Sequence, residues 1–378
     1  MPKLTPYYLT FRSGLHVGKG AESLEGSRES VPADTLFAAM LDVLYHLGGD
    51  VDTFAKPFTS QPPDPPFLHT SAFPFACRVR FFPLPVDLRR LFTSQVLDDF
   101  NWNKPLKRLR YFSEGLLRKA LTGEKLDEWL FPIDEHAEPE NGAALQGGTL
   151  WLTKEEIDDL PHNFHRCPGR LHSLRRLNLW RSQSVPRVTV NRISSASSIY
   201  YAQRVIFTKG CGLWFGVEWR EAQIGNFSYT DAFEKILKSL SESGLGGERT
   251  AGYGGFNYQK GGDFSFSDPA SGGLAYLLSR YHPKETEIAP VFKDERAAYR
   301  LEAVGGWLRT PGGAAQRRKR LWLVTEGSLL PGAPAGDVSD VRPKYQNSTG
   351  DFPHPVYRSG LAVTIGWPNT QGEEAQHG

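Results

Sequence analysis

Four side chains able to bind a metal or carry a proton fall within one short segment, HNFHRCPGRLH: His162, His165, Cys167 and His172. Imidazole and thiolate are zinc ligands. Zinc knuckles space their ligands in fixed pairs, and this spacing matches none of them. The segment is also basic, which suits a surface loop. No bound metal is expected, and these four are the only candidates for one. His16, in GLHVGKG, could serve as a general base toward an RNA 2′-hydroxyl. Such a base needs an acid or tyrosine beside it, and the turn offers neither. The GGD at 48–50 closes a helix and the GGD at 261–263 lies in a linker, so neither makes the paired carboxylates of a two-metal site. Neither G-x-S-x-G nor H-E-x-x-H occurs. The chain reads as a non-enzyme without a cofactor.

The stretch SGLGGERTAGYGGF, 243–256, raises a different chemistry. Glycines 244, 246, 247, 252, 254 and 255 surround Arg249 and Tyr253. A phosphate-cradling P-loop places a strand before the glycines, a helix after them and Lys-Ser/Thr at the end. Here a helix precedes, a strand follows and no Lys-Ser/Thr is present. A dinucleotide G-x-G-x-x-G fails too, with Arg249 or Asn257 where the third glycine belongs. What remains is a backbone that a ligand can approach closely, because glycine lacks a Cβ. Arg249 can bond a phosphate and Tyr253 can stack on a base, a mixture that suits RNA.

Charge is segregated behind a net of only +2. From 161 to 217 there are nine Lys/Arg and no acid, whereas 121–159 holds eleven acids and two bases. Residues 101–120 add six bases against one acid. Runs this distinct are expected on opposing surfaces, the basic one long enough to follow a polyanion. Three cysteines without a C-x-x-C pair fit a reducing cytosol. The absence of a signal core or a long apolar run points to a soluble, cytoplasmic chain without a membrane partner.

These groups need elements to hold them. TPYYLTFRS alternates as a strand on Tyr7, Leu9 and Phe11. VPADTLFAAMLDVLYHLGG reads as a helix with Asp34 as cap, Phe37, Met40, Leu41, Leu44 and Leu47 buried, and Gly48–Gly49 at its end. The prolines of 56–75 argue against regular structure there. CRVRFFPLPV is a strand stopped by its prolines, and 86–160 reads as an insertion with helical pieces. SVPRVTVNRISSASSIYYAQRVIFT forms a long hairpin with its turn near 194–198, and GLWFGVEW continues the sheet. DAFEKILKSLSES is an amphipathic helix on Phe233, Ile236, Leu237 and Leu240, capped by Asp231. Then come the glycine loop and the short strand FNYQK.

The order is βαββαβ, so residues 1–262 are expected to form a ferredoxin-like domain with insertions. Residues 263–378 are strand-rich and expected to form a second, degenerate domain of the same kind. The class is α+β. RRKR, 317–320, reads as a solvated charge run flanking LWLVTEGS.

GLGGERTAGYGGF, between the last helix and last strand of such a domain, resembles the mark of the RAMP superfamily of CRISPR proteins. Within it the chain is similar to the subunit-four family of type III-A Csm effector complexes. LHVGKG with VPADTLFAAML, FPLPVD with KPLKRLRYFS, VPRVTVNRISSASSIYY, LSRYHP, VGGWL, TEGS and HPVYRSGLA carry the likeness in order. The acidic insertion 121–159 and the His/Cys cluster depart from it.

The resemblance implies a non-catalytic subunit that holds the repeat-derived 5′ tag of the crRNA. It would bridge the large cyclase-and-nuclease subunit and a backbone RAMP subunit, meeting target RNA only indirectly. Carried over, Gly244, Gly246, Gly247, Gly252, Gly254 and Gly255 shape the loop, Arg249 neutralises phosphate and Tyr253 stacks. His16 and Lys19 lie in the first turn beside it. Arg187 and Arg192 sit on the hairpin as a thumb. Lys104, Lys107, Arg108 and Arg110 form a second basic patch, and His354, Tyr357 and Arg358 are further contacts to the tag. The rival reading is a metal-independent endoribonuclease of precursor crRNA with His16 as base.

Overall fold

The computed structural model describes residues 2–18, 26–135, 137–165, 174–190, 197–308, 316–343, 352 and 354–368. The first part runs β1 (Lys3–Phe11), α1 (Ala33–His46), α2 (Val51–Thr59), β2 (Phe67–His69), β3 (Phe73–Ala76), β4 (Val79–Pro83), β5 (Tyr111–Ser113), α3 (Glu114–Leu121), β6 (Gly142–Leu145) and β7 (Leu150–Thr153). It continues through β8 (Trp180–Val190), β9 (Ser197–Phe207), β10 (Cys211–Trp219), the short pair β11 (Gln223–Ile224) and β12 (Phe227–Ser228), α4 (Tyr229–Ser243) and β13 (Phe256–Lys260). Then follow β14 (Phe264–Ser265), β15 (Leu274–Leu277), α5 (Glu285–Phe292), β16 (Leu301–Val304), β17 (Trp307–Leu308), β18 (Gln316–Arg317), β19 (Leu321–Val324), β20 (Leu329–Pro331), β21 (Val338–Asp340), β22 (Tyr357–Ser359) and β23 (Thr364–Trp367).

The class is α+β, built on one large sheet ordered β13–β1–β10–β3–β4–β5–β7–β6, with β14 beside β1 and β2 beside β10. β1 is central to it: β10 and β13 flank it antiparallel. Its burial follows the alternation read from sequence around Tyr7 and Leu9, with Thr10 exposed between them and Phe11. α1 and α4 share one core with this sheet. Tyr7 stacks on Phe215 at 5.5 Å, and Phe233 of α4 meets Tyr7 and Phe67 at 5.3 Å each. Burying these rings removes apolar surface from water, and their stacked, tilted and edge contacts add to the stability of the sheet–helix layer.

Several local readings change. Asp34 does not cap α1. The N-cap is Pro32, and the first free amide, Ala33 N–H, is met at 2.8 Å by the Ser71 hydroxyl from the far side of the sheet connection. Asp34 sits one residue inside the helix, buried. Leu47 is exposed rather than part of the buried stripe. α4 is capped by Ser228, whose hydroxyl accepts from Asp231 N–H at 3.2 Å, so Asp231 is the third helical residue and not the cap.

The proline-rich stretch is more regular than its composition implies. α2 runs through Pro57. Proline lacks the amide that would bond the Thr53 carbonyl. The Tyr229 hydroxyl donates to that carbonyl at 3.3 Å instead. β2 and β3 follow within the same stretch. The insertion 86–160 likewise adds strands, β5, β6 and β7, that widen the sheet. All four residues of β6 and of β7 are buried, so neither shows the alternation that marks a strand in sequence.

Beyond 262 the fold is a three-stranded antiparallel sheet, β20–β15–β23, with two-stranded ribbons β16–β19, β17–β18 and β21–β22. A polar seam ties it to the first part. Arg28 pairs with Glu302, Arg280 Nη2 reaches Glu302 at 2.9 Å, and Arg280 Nε reaches Glu326 at 3.0 Å. Glu326 in turn accepts from the Ser71 hydroxyl that caps α1. Burial opposes the Arg280 charge, yet Glu326 and Glu302 hold its pKa above the ordinary guanidinium value. Nearby, Arg358 Nη1 meets Asp34 Oδ2 at 3.3 Å and the Asp34 carbonyl at 3.2 Å.

The Asp34–Arg358 pair is a testable joint. Its carboxylate is 1% exposed. Removing one partner from a buried pair strands the other charge, at a cost of about 3–5 kcal/mol. Arg358→Ala is therefore expected to lower the urea midpoint well below that of an exposed control such as Lys235→Ala. Equal midpoints would show that the pair carries no stability.

Candidate nucleic-acid interface

The glycine loop begins where α4 ends. Gly244, at φ +86°, turns the chain while its amide still bonds Leu240 O at 2.9 Å. Leu245 is fully buried and bonds Gly254 O at 3.0 Å, pinning the loop's two ends together. Three more backbone bonds fasten it to the turn after β1: Gly247 N–H to His16 O at 2.8 Å, Gly254 N–H to Gly14 O at 2.9 Å, and Arg12 N–H to Gly255 O at 2.9 Å. The loop is thus a docked structure and not a free connection.

This docking is what most of the glycines serve. A Cβ on Gly246 would run into His16 O, and one on Gly254 into Leu245 O. On Gly247 it would lie 2.9 Å from His16 Cδ2, and on Gly244 2.6 Å from Tyr253 O. The sequence reading gave the bare backbone to a ligand; the structure gives it to the first turn at Gly246 and Gly247 and to the loop's own closure at Gly244 and Gly254. Gly252, at φ +80°, has open space around it and alone among the six has no neighbour within reach.

The hairpin β8–β9 rises beside this loop as an eleven-pair ribbon, from Trp180↔Phe207 to Val190↔Ser197. Ser197 and Ser198 pair in β9, so they are strand residues and not part of the turn read over 194–198; residues 191–196 lie outside the described residues. The ribbon's root is anchored. Phe207 stacks on Phe11 at 5.4 Å, and Leu15 exchanges two 2.8 Å backbone bonds with Val205. Residues 183, 185 and 187 share a ribbon face with 200, 202 and 204. On that face Arg187 and Arg204 each place a guanidinium carbon 5.4 Å from the centroid of Tyr253. Arg204 is further held by Gln183 Oε1 at 2.7 and 2.9 Å. The opposite face carries Val188, Val190, Ile199 and Tyr201, all exposed.

Each residue singled out from sequence now has a place. Tyr253 is 5% exposed, so its ring is covered by the two guanidiniums instead of being offered to a base. Arg249 is not a free phosphate ligand: its Nη1 pairs with Asp42 Oδ2 of α1 at 3.1 Å, across an exposed surface. His16 is 4% exposed, with Nδ1 2.6 Å from Gln203 O. A carbonyl only accepts, so Nδ1 carries the proton and Nε2 is the basic nitrogen, lodged beside Gly247. Lys19 and Arg192 lie outside the described residues, as do Cys167 and His172, and the side chain of His165 is likewise not described. Among the described residues no group of three His, Cys, Asp or Glu could hold a metal.

Lys104, Lys107, Arg108 and Arg110 are all exposed, on or just after the helix Asn103–Arg108. Arg110 Nη1 meets Glu29 at 3.2 Å. Burial first, and the neighbouring Arg108 charge second, hold Arg175 below the usual guanidinium range. Arg175 therefore extends this patch from the acid-free run, a residue the sequence did not single out. Arg176 pairs with Glu135, so the basic and acidic runs touch and are not confined to opposing surfaces. His354 is exposed and Tyr357 half-buried. Arg358, spent on Asp34, is withdrawn from any contact with RNA. Arg204 and Gln203 are the groups the sequence missed. The signal for Arg204 was its place in a strand whose alternate residues, 200, 202 and 204, share the face toward Tyr253; Gln203, on the other face, gave none.

Comparison with known proteins adds the family context. Residues 271–367 match the family described as the CRISPR Csm4 C-terminal domain. A protein of Thermococcus onnurineus (strain NA1) named CRISPR system Cms protein Csm4 is 26% identical over 191 residues, 50% of this chain and 56% of that protein. The match thus spans about half the length of this curated relative. Among solved structures, a chain in the Csm3–Csm4 subcomplex of the type III-A CRISPR-Cas interference complex is similar at a TM-score of 0.61 and 14% identity, covering 96% of this chain and 98% of that one. A chain in the Csm1–Csm4 cassette bound to AMPPNP is similar at 0.52 and 16%, covering 98% and 100%. The chain is Csm4-like: by sequence in its C-terminal part, by fold over nearly its whole length.

The docking of the loop predicts an order among glycine variants. Gly246→Ala meets both a positive φ and a carbonyl, whereas Gly252→Ala meets a positive φ alone, which costs about 1–2 kcal/mol. Hydrogen exchange at Leu245, Gly247 and Gly254 is expected to accelerate strongly in Gly246→Ala and little in Gly252→Ala. Equal exchange in the two would mean that the loop is not held by the first turn.

Proposed function

We propose that this Csm4-like chain is a non-catalytic RNA-binding subunit of a type III-A CRISPR effector complex. In this reading it holds the repeat-derived 5′ tag of the crRNA and bridges the large cyclase-and-nuclease subunit to a backbone RAMP subunit. The observation that carries it is the joining of glycine loop, first turn and hairpin into one rigid wall. Arg187 and Arg204 stand where the hairpin meets that wall. Guanidiniums fixed this way suit a phosphodiester backbone, which they position without reading sequence. The patch of Lys104, Lys107, Arg108 and Arg110 adds exposed positive charge, and Lys19 and Arg192, which lie outside the described residues, belong to this reading by their place in the sequence alone. His354 and Tyr357 are the C-terminal contacts. The names of the solved neighbours pair Csm4 with Csm3 and with Csm1. A backbone and a large partner for this chain follow from that likeness.

The domain reading belongs here too. We take 1–262 as a ferredoxin-like unit, supported by strand order β13–β1–β10–β3 with α1 and α4 between. We take 263–378 as its degenerate copy: β23–β15–β20 repeats three positions of that order, with α5 as its helix. No helix among the described residues is long and apolar enough to cross a membrane.

The rival reading, cleavage of precursor crRNA with His16 as base, has the geometry against it. The His16 ring is buried, and its Nδ1 proton is committed to the backbone of the hairpin. A base of that kind must lie within reach of the hydroxyl it deprotonates.

In filter binding with crRNA, Arg187→Ala combined with Arg192→Ala is expected to weaken affinity. The slope of log K against log salt should fall by about 1.4, at roughly 0.7 per phosphate for a single strand. An unchanged slope would remove the hairpin from the interface. Incubation with labelled repeat RNA in the absence of metal is expected to leave it intact. Specific cleavage abolished by His16→Ala would establish the rival instead.

A further inference from the structure

The two ends of the glycine loop are docked, and its tip stands clear of them. The tip is a single turn of 3-10 helix, Arg249–Ala251, entered through Glu248 at φ +57° and left through Gly252 at φ +80°. Two left-handed residues thus bracket three right-handed ones, and a left-handed residue other than glycine is uncommon. The turn closes on itself, with Ala251 N–H on Glu248 O and Gly252 N–H on Arg249 O, each at 2.9 Å. Thr250, Ala251 and Gly252 are exposed, and a Cβ on Gly252 would meet nothing within 4 Å. What ties the tip to α1 is a side-chain contact: Arg249 Nη1 lies 3.1 Å from Asp42 Oδ2, with both side chains 40% exposed. The other oxygen of Asp42 lies 3.6 Å from His46 Nδ1, which also bonds the Asp42 carbonyl at 2.7 Å.

An ion pair this open to water is weak, because solvent screens it and two long side chains must be held in one geometry. A phosphodiester offers a guanidinium the same charge on two oxygens, and its neighbours along the strand bind the same wall. Glu248 stands to the hairpin much as Asp42 stands to the tip. Tyr253 first, and the Glu248 charge after it, hold the Arg187 guanidinium above its ordinary value. Internal carboxylates therefore face two of the three arginines gathered around the loop, and Gln183 holds the third, Arg204. We propose, resting on the RNA-binding reading above, that the Arg249–Asp42 pair is a latch: in the free subunit Asp42 holds the place of a phosphate on Arg249, and an RNA backbone laid on the wall displaces it, turning the tip about Glu248 and Gly252. While the latch is closed the apparent affinity is reduced to the fraction of tips that are open. A strand that also engages Arg187 and Arg204 opens it, and a stray contact at the tip alone gains little.

The test uses the full chain and a fluorescein-labelled oligouridylate at low salt, with circular dichroism to confirm that each variant is folded. Asp42→Asn is expected to tighten binding about threefold, the weight of an exposed pair, and Asp42→Ala should act alike. Arg249→Ala should weaken binding and lower the salt slope by about 0.7, one phosphate contact. In the Arg249→Ala background, Asp42→Asn should change nothing. Equal tightening in both backgrounds would be the effect of removing any negative charge and overturns the latch. Unchanged or weakened binding in Asp42→Asn and Asp42→Ala would make the pair a structural brace and overturns it as well. Arg187→Ala is run in parallel as the reporter of the wall. If it alone is impaired, the wall stands and the latch falls. If it binds normally while Asp42→Asn tightens through Arg249, the latch stands and the wall reading fails.

Discussion

The rest of the site depends on one close approach, that of Gly246 and Gly247 to the backbone of His16. No side chain fits between them. Because it holds, the end of α4 and the turn after β1 become a single surface, although they lie some 230 residues apart in the chain. The His16 ring then passes behind the loop to the hairpin. Three separate elements are thereby brought to one place by backbone groups that would otherwise need water. Positive charge is arranged on top of that scaffold, and the scaffold would exist without it.

The two kinds of positive charge in the chain behave differently. Arg280 is buried and pairs with Glu302 and Glu326, and Arg358 is mostly covered and answers the buried carboxylate of Asp34. They join the two parts of the protein. Arg187, Arg204 and Arg317 rest on aromatic rings, a contact that holds a guanidinium in place. Arg249 stands between these cases, exposed but tethered to α1.

What the sequence made legible follows from where the information lay. β1, α1, β8–β9 and α4 each carry their own period, and all four are found where their residues place them. β6 and β7 are buried on both faces, so they have no period to read. α2 was obscured by Pro57, whose missing bond is replaced by Tyr229, a residue far along the chain. The same limit applied to the site. The loop and the hairpin were legible because glycine content and acid-free charge are local properties. That Arg249 meets Asp42, that Arg358 meets Asp34, and that Tyr253 is covered rather than presented depend on contacts between distant segments. Nothing within a single stretch announces them.

The long ribbon poses a hazard of its own. A two-stranded hairpin standing off its sheet has two open edges, each a template for an unwanted strand. Val205 turns both its backbone groups outward to Leu15, which sets the alternation along β9. Gln203 and Tyr201 therefore face outward too, and so does Pro186, the partner of Tyr201. The β9 edge is closed near its root by Leu15 and then by the His16 ring on Gln203 O. The β8 edge is blunted midway, because the donor that Pro186 lacks is one an incoming strand would have used. With Val188, Val190, Ile199 and Tyr201 exposed on one face, a ribbon without these guards would recruit its own copies. Pro186 and His16 each take away an edge position that a second copy of the ribbon would need for pairing.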